Sequence, residues 1–184
     1  MKNILIMYII ILPNLIFAQK NNWVEFLKEK IIILEINKTR EYKIEDLIFD
    51  VTWNKKLNYS KNIGYYGGIE KLTIHKGNKK LQIIKIIEDS VALGNIYFSF
   101  YDYNFDGYTD FSIPINCGNS CWEKYYIFNP KLNRFEHKKS WDYLRIQRID
   151  KKNKLIISHP SGNAIKDNIK LFKIKGMEII EINT

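Results

Sequence analysis

Along most of the chain, hydrophobic residues alternate with polar ones in short runs that are separated by turn residues. Alternation with a period of two residues is typical of β-strands that bury one face. Four pairs of runs flank a short Gly-, Asn-, Asp- or Pro-containing turn and therefore predict hairpins. These pairs are Lys71–His75 with Leu81–Ile86, Glu123–Phe128 with Arg134–Glu136, Arg145–Ile149 with Leu155–Ser158, and Ile169–Ile174 with Glu178–Ile182. The pattern predicts an all-β protein.

The first part of the chain gives weaker signals. Ile31–Ile36 and Leu47–Trp53 read as strands, whereas the apolar spacing within Asn21–Lys30 predicts one short N-terminal helix. Tyr65–Gly68 reads as an aromatic, glycine-rich loop. The last three hairpin turns recur about 20 to 25 residues apart, a spacing that suits a meander, a sandwich or a small propeller.

Residues 1–18 have the form of a secretory signal peptide. Lys2 precedes the apolar run Ile4–Leu12, Pro13 interrupts it, and Ala18 supplies a small residue at the expected cleavage point. A membrane span needs about 20 apolar residues, so no stable span is expected once this segment is removed, although an uncleaved anchor is the alternative. We predict a periplasmic or secreted protein whose residues 19–184 form a single β domain.

Composition argues against several classes of function. The formal net charge is +9, but the lysines are spread along the predicted strands, and an exported protein rarely meets nucleic acid, so no nucleic-acid partner is expected. The sequence contains no Gly-x-Ser-x-Gly elbow, no zinc-binding His pair and no phosphate-binding loop. We therefore predict a protein that is not an enzyme and has no catalytic residues, with a hydrolase as the less favoured alternative.

One loop carries the spacing of a calcium site. Oxygen-bearing side chains recur at every second residue, a glycine then permits a sharp turn, and a further aspartate follows. Calcium takes about six to eight oxygen ligands, so such a loop suits it well. The predicted ligands are Asp102, Asn104, Asp106, the backbone carbonyl of Tyr108, and Asp110, the last either directly or through water.

The flanks of this loop distinguish it from a helical calcium sensor. The twelfth loop position is Ile113 instead of the usual bidentate Glu, and Ile96–Phe100 and Phe111–Ile115 on either side read as strands. We predict a Ca²⁺ loop between two β-strands with a structural role. The alternative is a polar hairpin tip that needs no metal, because Asp, Asn and Gly are also ordinary turn residues.

Two further segments carry candidate chemistry. Cys117 and Cys121 predict a disulfide in an exported chain, because Gly118-Asn119 allows the backbone to turn back; a metal or redox role fits the spacing less well. Ser158–Ala164 is a small polar loop stiffened by Pro160. It could enter the cleft of another protein or simply connect two strands.

The second half of the chain resembles an exported bacterial family. The resemblance rests on Asp102–Phe111, the aromatic strand and turn Tyr125–Pro130 with Asn133–Phe135, Ser161-Gly162, and the final hairpin Leu171–Glu181, and it covers about residues 95–184. This family includes immunity proteins against peptidoglycan-cleaving effectors of a type IV secretion system. It is similar to periplasmic inhibitors of invertebrate-type lysozyme.

The resemblance implies a small, five-bladed, β-propeller-like fold, a bound Ca²⁺, and inhibition of a lysozyme-like peptidoglycan hydrolase by loop insertion. It implies the partner-binding residues His159, Ser161, Gly162, Asn163 and Lys166. Repeats of cell-surface propellers carry a similar Asp-rich loop, so the alternative function is a calcium-stabilised binding module for a glycan or a protein.

Overall fold

The computed structural model describes residues 22–85, the backbone of 91–92, and residues 95–115, 122–159 and 169–182. The predicted signal peptide lies outside this range, as does the predicted Cys117–Cys121 disulfide. The same holds for Ser161, Gly162, Asn163 and Lys166 of the predicted partner-binding loop. Within the described ranges, no helix has the length and apolar character needed to cross a membrane.

The described residues form β-strands connected by turns, with two short 3₁₀ helices at Phe26–Lys28 and Lys139–Trp141. The strands are β1 (Val24–Glu25), β2 (Ile32–Ile36), β3 (Arg40–Ile44), β4 (Leu47–Ser60), β5 (Gly64–Lys76), β6 (Lys79–Lys85), β7 (Val91–Ala92), β8 (Ile96–Tyr101), β9 (Asp110–Ile115), β10 (Trp122–Asn129), β11 (Arg134–His137), β12 (Ile146–Asp150), β13 (Leu155–Ser158), β14 (Lys170–Lys175) and β15 (Glu178–Ile182). The all-β prediction is confirmed, and so are the four predicted hairpins.

The strands pair into three antiparallel sheets. The N-terminal sheet has the order β3-β4-β5-β6, with β7 also paired to β5. The central sheet has the order β11-β10-β9-β8-β2, and the C-terminal sheet has the order β1-β12-β13-β14-β15. None of these sheets closes on itself. The five-bladed propeller-like arrangement is therefore not supported, because the described strands join across hairpin boundaries into three sheets instead of five separate blades.

The predicted N-terminal helix is wrong. Within Asn21–Lys30, Val24 and Glu25 pair with Ile149 and Arg148 and add an edge strand to the C-terminal sheet, and only a single 3₁₀ turn follows. Backbone pairing to a distant strand and the packing of Phe26 against the C-terminal core override the weak local helical spacing.

The predicted loop at Tyr65–Gly68 is also wrong, because these residues belong to β5. They pair with β4 in a long hairpin, in which Tyr59 lies opposite Tyr65 and Asn54 lies opposite Gly68. Tyrosine favours strands, and the absence of a side chain at Gly67 makes room for the indole of Trp53. A Cβ at Gly67 would lie 2.6 Å from Trp53 Nε1. The glycine therefore allows the Trp53 side chain of β4 to pack directly against the backbone of β5.

Two hydrophobic cores lie on opposite faces of the central sheet. The first core packs the central sheet against the N-terminal sheet around Phe49 and Phe111. The second core packs the central sheet against the C-terminal sheet around Ile127 and Trp141. Strand β10 contributes to both cores, since its residues alternate between them, which explains why the run Tyr125–Phe128 is buried without interruption.

Candidate functional site

The Asp-rich loop forms the connection between β8 and β9. The last paired residues on each side are Tyr101 and Asp110, so residues 102–109 form the loop of a hairpin in the central sheet. The prediction that strands flank this loop is confirmed. The loop therefore projects from the sheet whose faces carry both hydrophobic cores.

Two aspartates hold the loop in a tight turn by accepting backbone hydrogen bonds. Asp102 Oδ1 accepts from the N–H of Asp106 at 2.9 Å, and its Oδ2 accepts from Gly107 at 2.8 Å. Asp106 Oδ1 in turn accepts from the N–H of Tyr108 at 3.0 Å. The turn requires Gly107 at φ +89°, which is a conformation that glycine adopts without strain.

Asn104 is buried at the base of the loop and has an unsatisfied acceptor. Its Nδ2 donates to Asp106 Oδ2 at 2.9 Å, whereas its Oδ1 is shielded from solvent and has no hydrogen-bond partner. An unsatisfied buried acceptor costs about 1–3 kcal/mol. A hard cation that bound to this oxygen would remove that cost, so the oxygen is a suitable metal ligand.

Asp110 is fully buried and anchors the loop to the core. Its Oδ2 accepts from the N–H of Tyr103 at 2.9 Å, and its Oδ1 accepts from the N–H of Phe128 in β10 at 2.8 Å. Burial raises the pKa of the Asp110 carboxyl well above its usual range; the two N–H donors oppose this shift, and the charges of Asp106 and Asp102 add to it. Both carboxylate oxygens thus have structural partners.

The acidic side chains of the loop do not converge into a compact cluster. Across the described part of the chain, no group of three Asp, Glu, His or Cys side chains is placed to hold a metal ion. Asp110 agrees with this result, because its carboxylate oxygens accept hydrogen bonds from the N–H groups of Tyr103 and Phe128. The ring of Tyr108 packs against Phe128 at 5.5 Å between ring centroids, which fixes the far side of the loop.

Of the predicted partner-binding residues, His159 lies within the described ranges. Its N–H donates to the carbonyl oxygen of Arg145 at 3.1 Å, immediately after β13 ends. His159 also lines a shallow cavity, together with Arg148 and Ile169. The start of the predicted loop is therefore held against the C-terminal sheet.

The structure contains a second site that the sequence analysis missed. A cavity of about 350 Å³ lies between the central sheet and the segment that leads into β12. Its floor is a row of directly paired neighbours across the central sheet, Ile33, Ser99, Ser112 and Tyr125. Because the two middle residues are serines, each flanked in its strand by large hydrophobic residues, the row leaves a gap that larger side chains would fill.

A carboxylic acid faces this cavity. Glu123 lies two residues before Tyr125 on β10, and side chains two residues apart share one face of a strand. Its Oε2 is shielded from solvent and has no hydrogen-bond partner. Burial raises the pKa of Glu123 to about 7, while the nearby Ser112 hydroxyl, which is also bonded to Tyr103 Oη at 2.9 Å, opposes the shift.

We expect Glu123 to make folding stability depend on pH. Its pKa rises from 4.5 in the unfolded chain to about 7 in the folded protein, so the folded state favours the protonated form. The contribution of this residue is greatest below pH 4.5 and falls as the pH rises to about 7, a loss of about 3 kcal/mol. Urea unfolding at several pH values measures it.

The variant Glu123→Gln isolates this contribution, because it leaves every other titrating group in place. The free energy of unfolding of the variant, minus that of the wild type, should rise between pH 5 and 8. Parallel profiles for the two proteins would show that Glu123 titrates normally.

Comparisons with known proteins find no match: no family model, no curated protein and no solved structure matches the chain.

Proposed function

We propose that the protein is an exported, calcium-binding inhibitor or immunity protein directed at a lysozyme-like peptidoglycan hydrolase. The observation that carries the calcium part is the loop between β8 and β9, with its aspartate turn and the buried, unpartnered Oδ1 of Asn104. The inhibitory part rests on the resemblance of the second half of the chain to periplasmic lysozyme inhibitors. Export rests on the signal-like residues 1–18.

The loop offers oxygen ligands for Ca²⁺ from Asp102, Asn104 and Asp106, together with the carbonyl of Tyr108. Asp110 would act through water, because it is fully buried at the base of the hairpin and its carboxylate is anchored to Tyr103 and to Phe128 of β10. The bound ion would neutralise the charges of Asp102 and Asp106 and satisfy the buried oxygen of Asn104. Its role is to stiffen the hairpin, not to take part in catalysis.

Calcium should raise the thermal stability of the protein. Extracellular modules bind this ion with dissociation constants of about 0.1–1 mM. An ion that binds only the folded state, at about 100 times its dissociation constant, stabilises that state by about 2.7 kcal/mol. Thermal melts with calcium and with chelator should therefore separate for the wild type and coincide for Asp106→Ala.

Glu181→Ala is the matched control, because Glu181 is an exposed carboxylate on β15, outside the loop, that pairs with Lys170 at 2.9 Å. This variant should keep the full calcium response. Coincident wild-type melts, together with elemental analysis that finds no retained metal, would rule out the site.

The inhibitory element is proposed to be the segment that follows His159, with Ser161, Gly162, Asn163 and Lys166 as partner-binding residues. Gly162 would let the backbone approach the hydrolase closely, and Lys166 would pair with a catalytic acid. Loss of one partner from such a desolvated pair costs about 2–5 kcal/mol, mainly through faster dissociation.

The inhibition assay compares the wild type with Gly162→Trp on several peptidoglycan hydrolases, including any encoded next to this protein. We expect the wild type to inhibit one of them and Gly162→Trp to lose inhibition while it remains folded. Lys152→Trp, in the exposed turn between β12 and β13, is the control for a bulky surface substitution and should inhibit normally. Equal inhibition by all three proteins would show that a different surface acts on the hydrolase.

One observation favours the second candidate function, a binding module for glycans. On the hairpin of β4 and β5, Tyr59 and Tyr65 are 63% and 64% exposed with ring centroids 5.1 Å apart, and the Nζ of Lys56 lies 5.6 Å from the Tyr65 ring centroid. Exposed aromatic rings beside a cation can stack on sugar rings. Retention of peptidoglycan fragments that is lost in Tyr59→Ala and Tyr65→Ala, without any hydrolase inhibition, would favour this function.

A further inference from the structure

The cavity beside Glu123 has the chemical features of a small-molecule site; Tyr103 of the Asp-rich loop lines it, but none of the predicted calcium ligands does. Its volume of about 350 Å³ is in the range of ligand pockets in proteins. Its walls are mainly apolar, with Phe26 and Leu27 from the N-terminal 3₁₀ turn on one side and Leu144 and Ile146 on the other. Leu27 is 91% exposed, so a large apolar side chain stands at the rim of the cavity.

The polar groups of the cavity lie on its sheet side. Ser112 is hydrogen-bonded to Tyr103 and also to the Glu123 carboxyl, whereas the carboxyl oxygen Oε2 is shielded from solvent and lacks a partner. A carboxylate beside an apolar cavity favours a cationic ligand, because a nearby opposite charge offsets part of the cost of burying it. The same carboxylate would repel an anionic ligand.

Aromatic rings near Glu123 add a preference for positive charge. Tyr103 and Tyr125 both line the cavity, and their ring centroids lie 4.9 Å apart in an edge-to-face arrangement. The face of an aromatic ring attracts a cation by about 0.5–2 kcal/mol, more when water is excluded. A carboxylate and two tyrosine rings around one apolar space are complementary to an ammonium group on an apolar body.

We propose that this cavity binds a small hydrophobic amine, with its ammonium group paired with the Glu123 carboxylate and its apolar part lying against Phe26, Leu144 and Ile146. This inference does not depend on the proposed inhibitory function or on calcium.

The titratable groups around the cavity indicate that the pH dependence of amine binding follows the ionisation of one residue. Burial raises the pKa values of Tyr103 and Tyr125 above their usual range, so both remain neutral near pH 7. Arg145 also lines the cavity, so the bound ammonium group must lie on the Glu123 side, away from the guanidinium. The charge of Asp142 adds to the upward shift in the pKa of Tyr125. Asp142 is itself paired with His137, with 2.8 Å between Asp142 Oδ1 and His137 Nε2. Glu123 is thus the cavity-lining group that changes charge between pH 6 and 8.

The experiment titrates the purified full-length protein with 2-phenylethylamine, and separately with the neutral 2-phenylethanol and the anionic phenylacetate, while NMR follows the amide shifts of β10 and β12. We expect the amine to bind at least tenfold more tightly than the alcohol, and phenylacetate not to bind. The amine affinity should rise about tenfold between pH 6 and 8, as Glu123 ionises.

Glu123→Gln should lower the amine affinity about tenfold at pH 8, remove its pH dependence and leave the weak binding of the alcohol unchanged. Ser99→Leu, which fills the floor of the cavity, provides a second variant and should abolish binding of both compounds. The proposal is overturned if millimolar amine causes no shifts in the wild type. It is also overturned if the amine and the alcohol bind equally well, or if neither variant weakens amine binding.

Discussion

Replacement of Asp110 by Ala should lower the free energy of unfolding by about 2–4 kcal/mol. The substitution removes the acceptor for the N–H groups of Tyr103 and Phe128 and leaves both donors buried. Each unsatisfied donor costs about 1–3 kcal/mol. Relief of the buried charge, whose desolvation raises the pKa of Asp110, offsets part of this loss and places the expected value in the lower part of the summed range. Urea unfolding in the presence of chelator measures it without the contribution of calcium.

Glu181→Ala is again the appropriate control, because this carboxylate is exposed and forms one surface ion pair with Lys170. Exposed ion pairs contribute about 0–1 kcal/mol, so this variant should unfold almost as the wild type does. If the two variants are equally stable, Asp110 does not anchor the loop in the way described.

Replacement of Phe111 by Ala should cost about 3–5 kcal/mol, the range for truncation of a buried aromatic side chain. Phe111 is fully buried at the centre of the first core. Its ring stacks on Tyr126 and Phe98 at centroid distances of 4.7 and 5.6 Å and meets Phe135 edge-on at 4.9 Å. Chemical denaturation at fixed pH gives the difference directly.

Ile180→Ala is the matched control for this truncation, since Ile180 lies on β15 at the edge of the C-terminal sheet and is half-exposed. It should cost less than about 1 kcal/mol, because surface substitutions rarely exceed that value. A loss for Phe111→Ala of similar size would mean that the first core repacks around the missing ring.

The hairpins could be predicted from sequence because their information is local. Lys175-Gly176 and Gly77-Asn78 place residues with positive φ or turn-forming side chains between alternating runs, and the observed registers follow from these turns. The same reasoning placed the Asp-rich loop between two strands, since Phe111–Ile115 alternates immediately after it.

The division into three sheets could not be predicted in this way. It depends on pairings between distant segments, such as Val24 with Ile149 and Ile32 with Phe100. Turn residues give no information about these pairings. The pairings depend instead on which apolar faces remain uncovered once the hairpins have assembled into sheets. The local spacing therefore predicts a helix at the start of the chain, and the resemblance implies five blades, where long-range pairing produces an edge strand and shared sheets.

The same distinction applies to the candidate sites. The spacing of Asp102, Asn104 and Asp106 is local and was recognised, whereas the bonds of Asp110 to Tyr103 and Phe128 depend on the position of β10. The sequence contains one weak indication of the cavity beside Glu123, namely a serine between large hydrophobic residues in each of two strands. Its meaning emerges only when Ser99 and Ser112 are known to be paired.

The two-sided burial of β10 has a consequence for how the molecule opens. Tyr126 and Phe128 belong to one core, and Tyr125 and Ile127 belong to the other. Neither core can separate from the central sheet completely while β10 keeps all of its contacts, so local fluctuations should stop at this strand. Amide hydrogen exchange of β10 should then require global unfolding and be the slowest in the protein, whereas the amides of β15 and β6 should exchange through smaller, edge-limited openings.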